Sequence, residues 1–270
     1  MTGVAAMHPG PSSTHRRLLL GIGDTAGVAK RNLLRIWRTP RLLLIGTLQP
    51  ALLLLLFRYV LGGAIHIPGG SYVDYVVPAI FVEAVLIGGM TTSIGLAQDL
   101  QSGIIDRFRS LPMARPAVLA GRTLADLSRS ALSLLIMILL GLAVGFRFHG
   151  SPLAVVAGVA VILGFGYSFT WVYATIGLAT KDPETAQVAG ILPFFILMFA
   201  SNAIVPLETM PGWLQPFARN QPLSVTVTSV RALMVGGPAA HWLWQTVAWS
   251  VAIFAVFFVI SLRLYHRCNS

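Results

Sequence analysis

A single cysteine, Cys268 close to the C-terminal end, leaves no internal disulfide and no cysteine-based metal cluster to build. It reads as a bystander thiol. The six histidines are scattered, and none forms a pair spaced for metal binding on one helix face. Metal chemistry therefore has no support in the sequence. No GxxxxGK[ST] phosphate loop occurs, because neither Lys30 nor Lys181 follows a glycine, so the chain is not expected to hydrolyse ATP by itself. Only nine carboxylates are present, and none makes a paired acid/base site within an apolar stretch, which argues against an integral membrane enzyme. Charge itself is scarce. Charged residues make up 10% of the 270 residues, against about 25% in soluble domains. That is too little polar surface to cover a soluble globule of this size.

What the chain has instead is apolar side chains, 56% of the total, gathered in continuous runs. Helices and closed barrels are the structures that satisfy every backbone group in hydrocarbon, and a barrel would show short alternating strands. A hydrocarbon core of ~30 Å takes roughly 20 helical residues. Six stretches of that length occur: Leu42 to Ile65, Val76 to Ala97, Arg129 to Phe146, Pro152 to Ala179, Gln187 to Leu207 and Trp242 to Leu262. The third is the shortest, and its helix could begin near Pro116. The reading is an all-α polytopic membrane protein of six transmembrane helices, with residues 1–40 as a cytoplasmic arm and 41–270 as one transmembrane domain.

The charge asymmetry sets the orientation. With both termini in the cytoplasm, fifteen of the nineteen Lys and Arg fall on the inner side. Arg58, Arg147, Arg219 and Arg231 fall on or near the outer side, the bias of the positive-inside rule. The net charge of +10 follows from topology, not from nucleic-acid binding, because the basic residues flank the spans instead of forming a patch interleaved with aromatics. The polar, Pro- and Gly-containing Met1 to Ser13 is not a secretory signal, so the first membrane helix is expected to direct targeting to the inner (plasma) membrane.

Three segments outside the spans carry more information than the spans. His15 to Pro40 reads as an amphipathic helix on the cytoplasmic face, or else as a solvated basic arm. The inner loop 98–115 spaces Ile104, Ile105, Phe108 and Leu111 along one face of a short helix before Pro112. Such a helix suits a groove on a partner protein or rests on lipid. The outer segment 207–237 holds Pro211, Pro216 and Pro222, then an apolar stretch from Leu223 to Val235 ending at Gly236 and Gly237. It is either a re-entrant helical hairpin or an ordinary external loop, with Trp213 and Phe217 in the interfacial aromatic belt.

Ionisable residues within spans are functional suspects by default. Arg58 and Glu83 reach similar depth near the outer leaflet and are a candidate ion pair, as a clamp between helices or as a polar element of a gate or substrate path, with the spacing leaving open whether they meet. Arg122, Asp126 and Arg129 recur at i, i+4, i+7 on one helix face, where opposite charges pair. Gly141 and Gly145 form a GxxxG that can bring helices close.

These blocks, in this order, resemble a known family. The Gly103-Ile-Ile-Asp-Arg-Phe-Arg-Ser-Leu-Pro-Met113 loop, Gly121-Arg122 with Asp126, Pro206, Pro211-Gly-Trp-Leu-Gln-Pro-Phe217, Asn220-Gln-Pro222 and Arg231-Ala-Leu resemble the permease subunits of type-2 ABC exporters, in particular the daunorubicin-resistance-like group. The resemblance covers nearly the whole chain. It implies a half-transporter that pairs with a second copy or a homologous sister permease, among membrane lipids. A separate nucleotide-binding subunit would carry ATP and Mg, so no cofactor belongs to this chain.

The resemblance further implies that Gln101, Ser102, Gly103, Asp106, Arg107, Phe108 and Arg109 form a coupling helix against that subunit. Many such permeases carry an acidic residue at its start, where this chain reads Leu100-Gln-Ser-Gly. The outer hairpin would cap the exit path. Phe194, Phe195, Met198 and Phe199 would line a path for a hydrophobic or amphipathic cargo, a drug-like natural product or lipid, or else simply pack. A glycan or glycolipid precursor is the alternative cargo. An ion-coupled secondary transporter is the alternative mechanism, with Glu83 as its slender support.

Overall fold

The computed structural model describes residues 40–62, 71–102 and 115–267, without the side chains of 40–45, 61, 115–125 and 266–267, and seven of the eight α-helices among the described residues are apolar enough to lie in or against a membrane. In chain order they are α1 (Pro40–Leu56), α2 (Tyr72–Gln101), α3 (Arg115–Ala143), α4 (Pro152–Thr180), α5 (Pro183–Phe199), α6 (Gln215–Asn220), α7 (Pro222–Val235) and α8 (Ala240–Arg267). Four stretches are long and apolar enough to cross a membrane: Tyr72–Gln101, Asp126–Ala143, Pro152–Thr180 and Ala240–Tyr265. Gly46–Val60, Pro183–Phe199 and Pro222–Val235 are shorter apolar helices. Among the described residues the architecture is entirely helical.

Local chemistry sets most of the boundaries. Ser71, Ser151, Asp182 and Gln221 each accept a backbone N–H at a helix start, at Val73, Ala154, Thr185 and Leu223. Pro152, Pro183 and Pro222 occupy the first helical position, where the missing N–H costs nothing. The third apolar run was expected to reach Phe146, but α3 stops at Ala143. Gly145 takes a φ of 107°, and the N–H groups of Gly145 and Phe146 return to the carbonyls of Leu142 and Gly141, closing the helix in a Schellman turn. The expected GxxxG is thus divided. Gly141 lets Phe81 and Val77 of α2 approach, whereas Gly145 serves the turn.

α1 ends in a π-helical turn, Phe57–Leu61, closed by Gly62; a Cβ on Gly62 would stand 2.3 Å from the Arg58 carbonyl oxygen. The fifth apolar run also differs from expectation. Its helix begins at Pro183 instead of Gln187 and ends at Phe199 instead of Leu207.

α2 is the hub. It packs against α1, α3, α4, α5 and α7, while α8 lies behind α4 and α7. The α2–α4 seam is lined by small residues: Gly166 lies under Val85, Gly89 under Tyr173, and Gly177 faces the backbone of Ser93. α8 is held to α4 by Trp171 edge-on to Phe254 and Phe258, and by a 2.8 Å hydrogen bond between Thr175 and Ser261.

Candidate functional site

Polar groups in an apolar bundle must find partners within the protein, and here they gather at the two ends of α2. At its N-terminal end, Tyr75 donates its hydroxyl to the Asn202 carbonyl at 2.8 Å, just past the end of α5. Arg231 of α7 lies flat over the Tyr75 ring, its guanidinium carbon 3.7 Å from the centroid. Its Nε donates to the Tyr75 carbonyl at 3.0 Å and its Nη2 to the Asn202 carbonyl at 3.3 Å. Tyr72 reaches the Ile204 carbonyl at 3.4 Å.

A second tier ties α7 to the end of α5. Asn202 donates its backbone N–H to the Ser224 hydroxyl and its side-chain amide to the Thr228 hydroxyl, while Gln221 donates to the carbonyl of Leu197 and the hydroxyl of Ser224. At the far end of α7, the His149 and Gly150 N–H groups bond the Met234 carbonyl. The segment from Gln221 to Val235 is therefore packed into the bundle, with Ser224, Thr226 and Ser229 buried.

Toward the C-terminal end of α2, Ser93 donates to the Ala186 carbonyl at 3.1 Å, joining α2 to α5. Thr92 donates to the Asp126 carboxylate at 2.6 Å, and Asp126 lies 3.9 Å from Arg129, which also bonds the Gly88 carbonyl. Two members of the expected charge triad thus meet, and they anchor α3 to α2. The Arg122 side chain lies outside the described residues.

The residues expected to couple to a partner are described only in part. α2 continues through Gln101, so 98–101 are its last turn and not loop. Gln101 and Ser102 are exposed, and the Ser102 hydroxyl caps the Gln98 carbonyl. Gly103, Asp106, Arg107, Phe108 and Arg109 lie outside the described residues, as does the amphipathic helix expected over 15–40.

The four residues proposed for a substrate path divide by helix face. Phe194 and Met198 are buried, whereas Phe195 and Phe199 stack on each other at 5.5 Å on the exposed face of α5. Arg58 and Glu83 are not brought together. Arg58 Nε reaches the Val144 carbonyl at 3.4 Å, just past the C-terminal end of α3. Glu83 is buried, and its Oε2 has no hydrogen-bond partner. α2 starts at Tyr72, earlier than the apolar run, which sets Glu83 about 16 Å along the helix from its N-terminal end, further than the apolar run alone implies. Among the described residues no three His, Cys, Asp or Glu side chains converge on a metal position.

A helical membrane chain whose segment 207–235 is locked to α2 by polar contacts, and whose sequence carries no phosphate loop, matches one family over most of its length. The model of the ABC-2 type transporter family matches residues 25–235. The chain belongs to the ABC-2 type transporter family. It is thus an integral membrane permease of the type-2 ABC class. It is 34% identical to the daunorubicin resistance ABC transporter permease protein DrrB1 of Streptomyces coeruleorubidus, over 96% of this chain and 95% of that one. A probable doxorubicin resistance ABC transporter permease protein, DrrC of Mycobacterium tuberculosis (strain CDC 1551 / Oshkosh), is 29% identical over 88% of this chain and 87% of its own. From the same strain, the doxorubicin resistance ABC transporter permease protein DrrB is 27% identical over 64% of this chain and 60% of its own. The family match takes in the outer segment 207–235, so the network around Tyr75, Asn202 and Arg231 belongs to the permease unit itself.

Reading the sequence missed that network. The signal for Arg231 was an ionisable residue inside an apolar helix. Tyr75 and Asn202 gave none, because each works through backbone carbonyls that no side-chain pattern reveals.

Proposed function

We propose that this chain is the membrane half of an ATP-driven exporter that moves hydrophobic or amphipathic, drug-like molecules out of the cytoplasm or the inner leaflet of the plasma membrane. ATP and Mg are bound by a separate nucleotide-binding subunit. The chain crosses six times with both termini in the cytoplasm, and α1 and α5 complete the count beside the four longer helices. Segment 207–237 is a re-entrant outer hairpin, and two permeases pair, as copies or as sisters. The likeness to both a DrrB and a DrrC of one bacterium supports the sister arrangement as readily as the symmetric one.

The observation that carries the reading is α2. Its 30 residues make a rod of about 45 Å, longer than the ~30 Å hydrocarbon core. One end leads into the loop 103–114, where the nucleotide-binding subunit docks. The other holds the outer segment through Tyr75, Asn202 and Arg231. A push on the inner loop is delivered to the outer cap by one helix. Exposed apolar faces on α1 (Leu48, Leu52, Leu56) and α5 (Leu192, Phe195, Phe199) stand on the side where a second permease would complete the path.

Co-purification from the native membrane tests this. An ATP-binding subunit should accompany the tagged chain, and ATPase activity should fall when Arg107 and Phe108 are replaced by alanine. Absence of such a subunit, with activity indifferent to both replacements, sinks the exporter reading.

A further inference from the structure

Glu83 stands apart from every network described above. It is 2% exposed, its Oε2 meets no donor, and Arg58, the cation expected to answer it, bonds the Val144 carbonyl instead. Buried carboxylate oxygens normally have partners, and an intramembrane carboxylate without one marks a site before it marks a brace.

Its position follows from the contacts of α2. Side chains advance about 100° per residue around a helix. Phe81 faces α3 at Gly141, Val85 faces α4 at Gly166, and Tyr75, Met90 and Ser93 face α5 and the chain just beyond it. Glu83 falls on the remaining quadrant, beside the α5 face. α1 packs on α2 and α3, so it covers that quadrant. In height, Tyr75 meets Asn202 and Met90 meets Gly190, so Glu83, midway between Tyr75 and Met90, is level with Phe194 to Met198.

An unanswered carboxylate thus sits on α2 between the faces it turns to α1 and to α5, level with the buried Phe194 and Met198. At that height α5 offers the buried Phe194 and Met198, and Phe195 and Phe199 continue the apolar surface on its exposed face. α5 is pinned to α2 at both ends by Ser93 and Tyr75, whereas α1 sets Leu54 and Phe57 in the apolar core and bonds α3's end through Arg58. The carboxylate is therefore reached when α1 parts from α2. The geometry points to Glu83 as a binding residue for cationic amphiphiles: it supplies the counter-charge to an amine carried on an apolar body, which the phenylalanines accept. This rests on the exporter reading and names the chemical class of its cargo. An anion is repelled there, and a neutral molecule gains nothing from the charge.

A matched pair of probes isolates that charge: monodansylcadaverine, a fluorophore with a primary amine, and its neutral N-acetyl derivative. Binding by fluorescence and ATP-driven uptake into inverted vesicles are measured on the permease with its ATP-binding subunit, as wild type, Glu83→Gln and Glu83→Asp. Wild type should bind the amine more tightly than the acetylated probe. Glu83→Gln should raise the Kd of the amine roughly ten- to a hundredfold, the loss of one charge-assisted hydrogen bond, and leave the neutral probe within about twofold. Glu83→Asp should keep most of the preference. The proposal is overturned if wild type shows no preference, if Glu83→Gln leaves the amine's affinity unchanged, or if both probes weaken equally. Amine binding through Glu83 without ATP-driven uptake would sink the exporter reading and leave the site standing. Uptake of both probes that ignores the substitution would do the reverse.

Discussion

Replacing Arg231 with alanine should release the outer segment from α2. The guanidinium makes one good charge-assisted hydrogen bond, to the Tyr75 carbonyl at 3.0 Å, and a longer one to Asn202 at 3.3 Å. A hydrogen bond to a charged group is worth about 1.5–3 kcal/mol, and a partly desolvated cation on an aromatic face about 1–2 kcal/mol. Both act through one group and are not additive, so about 3 kcal/mol is at stake. That is roughly a hundredfold in the undocked population of α7. Ser229, fully buried with an unpartnered hydroxyl, is a suitable reporter. With Cys268 replaced by serine, a cysteine at 229 is the sole thiol, and its maleimide labelling rate reports undocking. Arg231→Ala should speed labelling by about a hundredfold. Arg231→Lys should recover part of the loss, because an ammonium keeps the charge but lacks the planar fork that spans two carbonyls and stacks on the ring. A cycle with Tyr75→Leu should give a coupling of about 1–2 kcal/mol. Labelling within twofold of wild type in Arg231→Ala, or no coupling to Tyr75, would refute the lock.

Two further perturbations probe the frame that carries this lock. Gly177→Ala would place a Cβ 2.3 Å from the Ser93 carbonyl oxygen, backbone against backbone, so α2 and α4 must move apart. Overpacking of this kind costs about 1–3 kcal/mol and should lower the melting temperature in detergent, while Gly164→Ala, with nothing within 4 Å, should leave it unchanged. Hydrogen bonds from the Thr185 hydroxyl and N–H hold the Asp182 carboxyl below the usual aspartate range at the start of α5. Its contribution is therefore complete above the ordinary aspartate pKa of about 4 and fades as pH falls through the lowered value. The melting difference between wild type and Asp182→Asn, which still caps but does not titrate, should be constant near neutrality and change only below about pH 4.

How much of this was legible in the sequence depended on which interactions set each boundary. The second, fourth and sixth apolar runs match α2, α4 and α8 to within a turn or so, because lipid length and local caps agree there. The fifth does not. Asp182 followed by Pro183 is a helix start that an apolar window ignores. Its end is set from outside, because the Asn202 carbonyl is taken by Tyr75 and Arg231, one far earlier and one later in the chain. Ala203, Ile204 and Val205 keep the composition of a span after the helix has stopped.

The pairing of Arg58 with Glu83 failed for a related reason. Depth was reckoned from the apolar run, whereas Ser71 starts α2 earlier and carries Glu83 inward. Equal hydropathy is not equal height.

The distribution of polar ties also constrains where an ATP-driven movement can occur. α2, α4, α5 and α7 are joined by hydrogen bonds near both ends of α2 and by glycine contacts along the α2–α4 seam. Close-packed elements joined in this way move as one body, since sliding them would strip polar groups in a medium that cannot replace the bonds. α1 lies outside that body. Leu54 and Phe57 enter the apolar core, and the Arg58 bond to Val144 lies just past the C-terminal end of α3. Lipid tails replace apolar contacts at little cost, so the α1 seam is the place where the bundle opens most easily. Glu83 lies behind that seam. If the inner loop pushes on α2, the body carrying the outer lock turns as a unit against α1, and the same turn that loads the cap uncovers the carboxylate.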